Sequence, residues 1–173
     1  MTFDYIVSDY ITGKPVRNIG SEVSRQIFEK FLVDEKGYAK KDIKVDEELI
    51  VQFKGEDYIS AIDLIVSCKE KPLMAIACVA GSIGSYEREI LAGARLVYDY
   101  QIPFAVSTDA RDAIVMDTFS GKKLGQGLDA IPSKKDAFKL VETIAYKSFD
   151  KNKKEREMII YRSFNLEKNV WGQ

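Results

Sequence analysis

The chain of 173 residues contains no histidine, and it has only two cysteines and four prolines. The absence of histidine excludes Ser-His-Asp and Cys-His nucleophile systems, histidine-ligated metals and imidazole general bases. Cys68 and Cys78 lack the spacing of zinc ligands, and we expect no disulfide framework. Any chemistry must therefore use carboxylates, Lys, Arg, Tyr, Ser or Cys.

The chain also lacks long apolar runs and an excess of charge of one sign. No run approaches the roughly 20 apolar residues that cross a membrane, and the N-terminal sequence has no signal-peptide pattern. We therefore expect a cytoplasmic protein without a membrane partner. Because the formal net charge is −1, any nucleic-acid surface must be a local basic patch.

The hydrophobic pattern predicts a small mixed sheet flanked by helices. Apolar residues at helical spacing predict a first helix over residues 19–33, with a core-facing stripe of Ile19, Val23, Ile27 and Phe31, flanked by Phe28 and Leu32. Strands are expected over residues 48–54, 58–67, 73–80, 102–108 and 113–117, and further helices over 85–100, 133–149 and 154–165. The expected fold is an α/β (α+β) domain with a mixed sheet of about four or five strands. Residues 1–150 would form this domain and residues 151–173 a C-terminal helical extension.

One acid, Asp63, interrupts an otherwise apolar strand between Ile62 and Leu64. A buried carboxylate without a partner costs several kcal/mol or takes up a proton. Asp63 can ligate a metal, accept hydrogen bonds from backbone or side chains, or lie at an exposed sheet edge, and the spacing alone leaves these readings open. A hairpin that folds about Glu70 would place Asp63 opposite Ala77, on the same face of the sheet.

Several segments, in a characteristic order, resemble the N-terminal nuclease domain of type I restriction enzyme R subunits, which belongs to the PD-(D/E)xK nuclease superfamily. The matching residues are a Glu-x-x-Arg-Gln pattern at Glu22, Arg25 and Gln26, then Gly37-Tyr38, Asp46-Glu47, Asp63 and Lys71-Pro72-Leu73. The later segment YQIPFAVSTDARDAIVMDTFSGK resembles the end of the sheet in that family. The resemblance covers about residues 15–125 and implies a restriction-endonuclease-like fold.

In active members of that family the third strand carries Glu-x-Lys, whose Glu holds Mg²⁺ with the Asp while the Lys polarises the attacking water. The corresponding positions here are Ala77 and Val79. The whole face of that strand is apolar: Leu73, Ala75, Ala77 and Val79. The resemblance implies that Glu22 and Asp63 remain as residual catalytic acids and metal ligands. Loss of the Lys alone lowers a rate by about 10²–10⁴, so we favour a non-cleaving protein.

Glu87 and Glu89, on the helix after the third strand, are candidates for a catalytic acid that has migrated to a neighbouring element. If either acid were catalytic, the chain would be a divergent endonuclease that uses Mg²⁺. If neither were, we expect the protein to need no cofactor. These two alternatives stay open in the sequence.

The glycine loop over residues 81–84 precedes the same helix, and backbone N–H groups at a helix start suit an anion. The candidate residues for DNA or anion binding there are Ser82, Ser85, Arg88 and Arg95. The alternative is an ordinary turn with Ser85 as a helix cap. Likewise, the basic run from Lys147 to Arg156 could contact phosphates or form a solvated helix face.

Three functions therefore stay open. The chain binds DNA or a protein partner without cutting, or it is a divergent metal-dependent endonuclease, or it is a structural module that forms a homodimer. Trp171 near the C-terminus is a candidate contact with the domain or with a partner subunit.

Overall fold

The computed structural model describes residues 5–170, with side chains described for residues 5–164, so Trp171 lies outside the described residues. The elements in chain order are β1 (Ile6–Ser8), β2 (Pro15–Arg17), α1 (Ser21–Asp34), β3 (Ile43–Phe53), β4 (Glu56–Cys68), β5 (Lys71–Cys78), α2 (Glu87–Leu96), β6 (Phe104–Thr108), β7 (Ala113–Asp117), β8 (Lys123–Gln126), α3 (Lys134–Thr143) and α4 (Lys151–Val170). Short 3-10 turns lie at Lys40–Asp42, Ile83–Tyr86 and Leu128–Ala130.

Strands β3 to β8 form one six-stranded sheet in sequence order, while β1 and β2 pair as a separate hairpin. All neighbours in the large sheet are antiparallel except β5 and β6, which are parallel and are connected through α2. The predicted mixed α+β fold is confirmed, but the sheet has six strands rather than four or five. The missing strand, β8, has the sequence KLGQ and is largely exposed, so it carries no apolar alternation.

The β4–β5 hairpin fixes the position of Asp63. Cys68 pairs with Lys71 across a two-residue turn whose residues, Lys69 and Glu70, have φ angles of 51° and 62°. Positive φ at both positions is the geometry of the type I′ turn, which matches the twist of the two strands. The register pairs Leu64 with Ile76 and therefore places Asp63 opposite Ala77, as predicted.

Each face of the sheet is covered by helices. On one face, α1 and α3 contribute Phe28, Leu32, Ala137 and Val141 to a cluster with sheet residues that include Leu64, Met74 and Ile76. On the other face, α2 and Tyr161 of α4 cover a cluster that includes Ile65, Ala75, Ala77 and Val79. No helix among residues 5–170 is long and apolar enough to cross a membrane.

The first helix buries a different face from the predicted one. Its buried residues are Arg25, Phe28, Glu29 and Leu32. Ile19, Val23 and Ile27 are instead 59%, 39% and 54% exposed. Of the predicted stripe only Phe31 packs against the core, beside the flanking Phe28 and Leu32. The other three positions are wrong, because two charged residues of α1 point inward, where Arg25 forms ion pairs.

The other helices differ from expectation mainly at their ends. Helix α3 begins after Ser133, whose hydroxyl accepts the N–H of Asp136 at 3.2 Å, but it ends at Thr143 rather than near residue 149 as predicted. Helix α4 begins at Lys151 and therefore includes the lysines that the prediction left outside a helix.

Candidate functional site

Asp63 lies in the last half of β4 and is partly buried. Its Oδ2 accepts the backbone N–H of Cys78 at 2.8 Å. This bond continues the pairing of β4 with β5 beyond Leu64 and Ile76, with a side chain in the place of a strand carbonyl. Of the three readings of Asp63, the hydrogen-bonded acceptor is therefore the one observed in the structure.

The positions at which the resemblance expects Glu and Lys are closed to solvent. Ala77 is 5% exposed and Val79 is 2% exposed. Both belong to the apolar cluster beneath α2, together with Ile90 and Ala94 of that helix. A charged side chain at either position would have to enter this cluster.

The predicted four-residue face of β5 needs one correction. Val66 pairs with Met74 and Ser67 pairs with Pro72, so Leu73 is the extra residue of a β-bulge. Leu73 consequently packs in the cluster beneath α1 and α3, on the opposite face from Ala77. The apolar face at the predicted catalytic position therefore consists of three residues: Ala75, Ala77 and Val79.

Glu22 is bound by the other two residues of its Glu-x-x-Arg-Gln pattern. Its Oε1 accepts hydrogen bonds from Arg25 Nε at 2.9 Å and from Gln26 Nε2 at 2.8 Å. Gln26 Nε2 also lies 2.8 Å from Asp9 Oδ2, and Arg25 Nη1 donates to Asp46 Oδ1 at 2.8 Å. The pattern thus links α1 to the loop after β1 and to β3.

The guanidinium of Arg25 is the centre of this group of side chains, although Arg25 is only 5% exposed. Besides Glu22 and Asp46, it lies 3.5 Å from Asp9 Oδ2 and 3.8 Å from Glu29 Oε1. Burial alone would lower the pKa of Arg25, but its bonds to Asp46 and Glu22 raise that pKa above its usual value. Arg25 is thus a permanent cation that holds four carboxyl groups together. We call these five residues and Gln26 the Arg25 cluster.

Glu29 differs from the other acids of the Arg25 cluster because it is fully buried. Among the described residues, no N–H group donates a hydrogen bond to either of its oxygens, and Asp9 is the acid with which protonated Glu29 can share its proton. Burial and the charge of Asp9 raise the pKa of Glu29 to about 8. Glu29 therefore holds a proton at neutral pH, which reduces the negative charge around Arg25.

The residual acids do not assemble with others into a metal centre in this conformation. Among the side chains of residues 5–164, no three Asp, Glu or Cys residues are placed to share one ion. Glu22 and Asp63 each already accept N–H groups, from Arg25 and Gln26 and from Cys78 respectively. Because Mg²⁺ can be held by one or two carboxylates with water and phosphate, binding at Glu22 or Asp63 stays a prediction.

Helix α2 carries both candidates for a migrated acid, and they occupy different surroundings. Glu89 is 4% exposed. Burial chiefly raises the pKa of Tyr161, the hydrogen bond with Ser60 lowers it, and the charges of Glu89 and Asp63 raise it further. Glu87 instead faces the preceding loop, where its Oε1 would lie 3.6 Å from a Cβ on Gly84. Of the two, Glu89 is the one whose charge acts on the same phenol as the charge of Asp63.

The glycine loop does not lead directly into α2. A 3-10 turn over Ile83–Tyr86 intervenes, and α2 begins at Glu87 without a side-chain cap, so the predicted helix start at Ser85 is wrong. Ser82 and Ser85 are exposed, and the N–H of Ser85 donates to the carbonyl of Ser82 at 3.2 Å.

Arg88 and Arg95 converge on Glu157 of α4, which the sequence analysis did not single out. Arg88 binds both carboxylate oxygens, at 2.5 Å and 2.8 Å, and Arg95 Nη1 lies 3.0 Å from Oε1. Burial alone would raise the pKa of Glu157, but its bonds to the two guanidinium groups lower it. The two arginines thus tie α2 to α4. The only signal in the sequence was an acid directly after a basic run.

Comparisons with known proteins agree with this fold. The family described as type I restriction enzyme R protein N terminus matches residues 20–132. Among solved structures, the chain resembles a fragment described as an HsdR subunit of a type I restriction enzyme from Vibrio vulnificus YJ016, with a TM-score of 0.52 and 15% sequence identity. At this identity the similarity shows the fold alone. It covers 71% of this chain and 25% of that chain. A comparison with curated proteins found no match.

The family match extends over most of the elements described above. It includes α1, all strands of the large sheet and the Arg25 cluster except Asp9, whereas α3 and α4 follow it. Since the matched segment makes up more than half of the chain, it establishes the family. The chain belongs to the family of type I restriction enzyme R protein N-terminal domains.

Proposed function

We propose that this chain is a nuclease-type domain that does not cleave DNA and acts instead by binding. The observation that carries the proposal is the burial of Ala77 and Val79 in the apolar cluster beneath α2. Metal-dependent cleavage needs an ion and a group that polarises water, both open to the substrate. Neither residue can supply such a group, and no other charged side chain takes its place on that face of β5.

A cleavage assay tests this half of the proposal. The purified chain is incubated with supercoiled and linear DNA in Mg²⁺ and, separately, in Mn²⁺. We expect no cleavage above the level of an Asp63→Ala preparation made in parallel, which controls for contaminating nuclease. Cleavage by the wild type that Asp63→Ala abolishes would overturn the proposal.

The partner that the surface favours is another protein. Ile19, Val23 and Ile27 form an exposed apolar stripe along and just before α1, and contiguous exposed apolar surface marks interaction sites. The similar fragment is described as a subunit of an enzyme, and this chain spans a quarter of its length. We therefore propose that the stripe binds a protein subunit.

Substitution of apolar residues in the stripe by polar ones tests this binding role. Sedimentation of the wild type over a range of concentrations first establishes whether a second copy is the partner. Partners from source cells are then identified by mass spectrometry and reconstituted from purified components. We expect Val23→Ser with Ile27→Ser to weaken the reconstituted complex, whereas a complex unaffected by this change would exclude the stripe.

DNA is the second candidate partner, and the start of α4 favours it. Lys151, Lys153, Lys154 and Arg156 are exposed on this helix, and such residues contact phosphates. In this case a gel shift at low salt would retain DNA, and retention would fall steeply as salt is added. Charge reversal at Lys151 and Lys154 would then release the DNA.

A divergent nuclease is the remaining candidate, favoured by the burial of Glu89, whose charge and that of Asp63 both raise the pKa of Tyr161. If the chain is such a nuclease, Glu89→Gln should abolish both Mn²⁺ binding and DNA cleavage. Glu87→Gln is the matched control, because Glu87 lies on the same turn of α2 but faces the loop.

A further inference from the structure

A cationic cavity of about 340 Å³ lies between α2 and α4. Four of the residues that line it are positively charged: Arg88, Arg95, Lys153 and Arg156. The remaining walls are Glu157 and two aromatic rings, Phe119 and Phe149. Neither Asp63 nor any residue of the Arg25 cluster or of the exposed stripe lines this cavity, so a ligand here would be independent of the proposed protein partner. Lys153 and Arg156 are shared with the basic start of α4 that favours DNA as the second candidate partner.

The cavity keeps an excess of positive charge, because its four cationic side chains face one carboxylate, that of Glu157. Lys153 and Arg156 are exposed and form no ion pair with any acid among residues 5–164. A guanidinium has five N–H donors. Arg88 gives two of these to Glu157, and Arg95 gives one to Glu157 and one to the Thr118 carbonyl, so both retain donors.

Glu157 also fixes the geometry of these donors. It is 4% exposed and binds both guanidinium groups, so Arg88 and Arg95 are held in place before any ligand arrives. The guanidinium of Arg95 additionally lies over the ring of Phe149, 5.3 Å from its centre. Donors that are held in position lose less entropy when they bind an anion.

An apolar cavity of about 360 Å³ shares one lining residue, Phe119, with the cationic one. Most of its lining is apolar, with Pro103, Phe104, Ile144 and Ala145, and Asp117 and Lys147 complete it. A ligand that spans both cavities would need one anionic end and one flat, largely apolar end.

We propose that the two cavities bind a mononucleotide, with its phosphate in the cationic cavity and its base in the apolar one. Guanidinium groups match phosphate oxygens in geometry as well as in charge. Aromatic side chains such as Phe119 and Phe104 offer faces on which a base stacks. Each cavity alone has the size at which small-molecule sites begin, about 300 Å³.

Isothermal titration of the full chain with adenosine 5′-monophosphate at low salt tests the proposal, with adenosine and inorganic phosphate as partial ligands. We expect saturable binding of the nucleotide, at least about tenfold tighter than either part, because both cavities contribute. Phe119→Leu should weaken binding of the nucleotide but not of phosphate. Added salt should weaken the nucleotide more than adenosine.

A matched pair of variants separates the site from general charge. Lys153→Glu with Arg156→Glu removes two lining cations, whereas Lys151→Glu with Lys154→Glu changes the same charge on the same helix outside both cavities. The first variant should lose nucleotide affinity at least about tenfold and the second less than about twofold. Circular dichroism verifies that both variants are folded.

Four results would overturn the inference. The first is the absence of saturable nucleotide binding at millimolar concentration, and the second is an equal loss in both double variants. The third is phosphate binding as tight as nucleotide binding, which would leave the apolar cavity without a role. The fourth is binding of oligonucleotides alone, which would assign the cations to a nucleic-acid backbone instead.

Discussion

Asp63 Oδ2 accepts the backbone N–H of Cys78 at 2.8 Å, so an acid of β4 is bound by the strand that lacks the other residues of a nuclease motif. Ala77, the neighbour of Cys78, offers no side chain that could share an ion with this acid. Asp63 therefore has a structural role that does not depend on metal binding. This role accounts for an acid in an otherwise apolar strand.

Asp63→Ala should lower the free energy of unfolding by about 1–3 kcal/mol, because the partly buried N–H of Cys78 loses its acceptor. Asp63→Asn should lower it less, since the amide oxygen can still accept that N–H. Urea denaturation followed by circular dichroism measures both. Equal stability of Asp63→Ala and the wild type would mean that the hydrogen bond is not what keeps an acid at this position.

Ala77→Glu should destabilise the protein by several kcal/mol rather than restore a catalytic acid, because an unpaired carboxylate would enter an apolar cluster. Ala80→Glu is the matched control: Ala80 is exposed just beyond the same strand, and the same change there should alter stability by less than about 0.5 kcal/mol. Thermal unfolding compares the two variants. If Ala77→Glu were tolerated and bound Mn²⁺, the face would be open and the proposal of a non-cleaving domain would fail.

The central sheet was predictable from the sequence because its strands carry strong local signals. The apolar runs of β4 and β5 and the turn between them defined the hairpin, and with it the position of Asp63 opposite Ala77. Strand β8 was missed because its half-polar, exposed sequence resembles a loop. Local pattern thus predicts strands that bury at least one face, including the edge strand β3, and misses β8, which is largely exposed.

The side-chain partners of the site were not predictable, because they come from distant parts of the chain. Arg25 pairs with Asp46, and Arg88 pairs with Glu157 over 69 residues. The buried face of α1 could not be predicted from spacing either, because the exposed stripe of Val23 and Ile27 has the same helical spacing as the stripe that is buried. The core contacts of Phe28 and Leu32, together with the acids across from Arg25, determine which stripe faces inward.

The raised pKa of Glu29, about 8, makes stability depend on pH. An ordinary glutamate in the unfolded chain has a pKa of about 4.3, so between this value and about 8 the folded state binds more protons. The stabilising contribution of protonated Glu29 is fully present below the unfolded pKa and is lost as pH rises through the folded pKa. The free energy of unfolding should therefore fall over this window, by up to about 1.4 kcal/mol per pH unit.

Glu29→Gln isolates this effect, because the amide has the same shape and does not titrate. We expect the variant to gain stability relative to the wild type as pH rises from about 5 to 8, as measured by urea denaturation at several pH values. Glu35→Gln, at an exposed position just after α1, is the control and should leave the pH profile unchanged. Parallel profiles for the wild type and Glu29→Gln would contradict the raised pKa.

Gly93 of α2 tests how closely the helices cover the predicted catalytic face. A Cβ at this position would lie 2.6 Å from Ile62 Cδ1 and 3.3 Å from Tyr161 Cε2. The overpacking in Gly93→Ala should cost about 1–3 kcal/mol, against a gain of about 1 kcal/mol in helix propensity. We therefore expect a net loss of stability in the wild-type background.

Ile62→Val removes the atom that the new methyl group would meet, so Gly93→Ala should become neutral or stabilising in that background. The four proteins form a double-mutant cycle, measured by chemical denaturation. Strict additivity would mean that Ile62 and Gly93 are not in contact and that α2 covers β4 loosely. A coupling of about 1 kcal/mol or more would instead support close packing over Ala77 and Val79, the packing that leaves a metal ion and a water molecule no room.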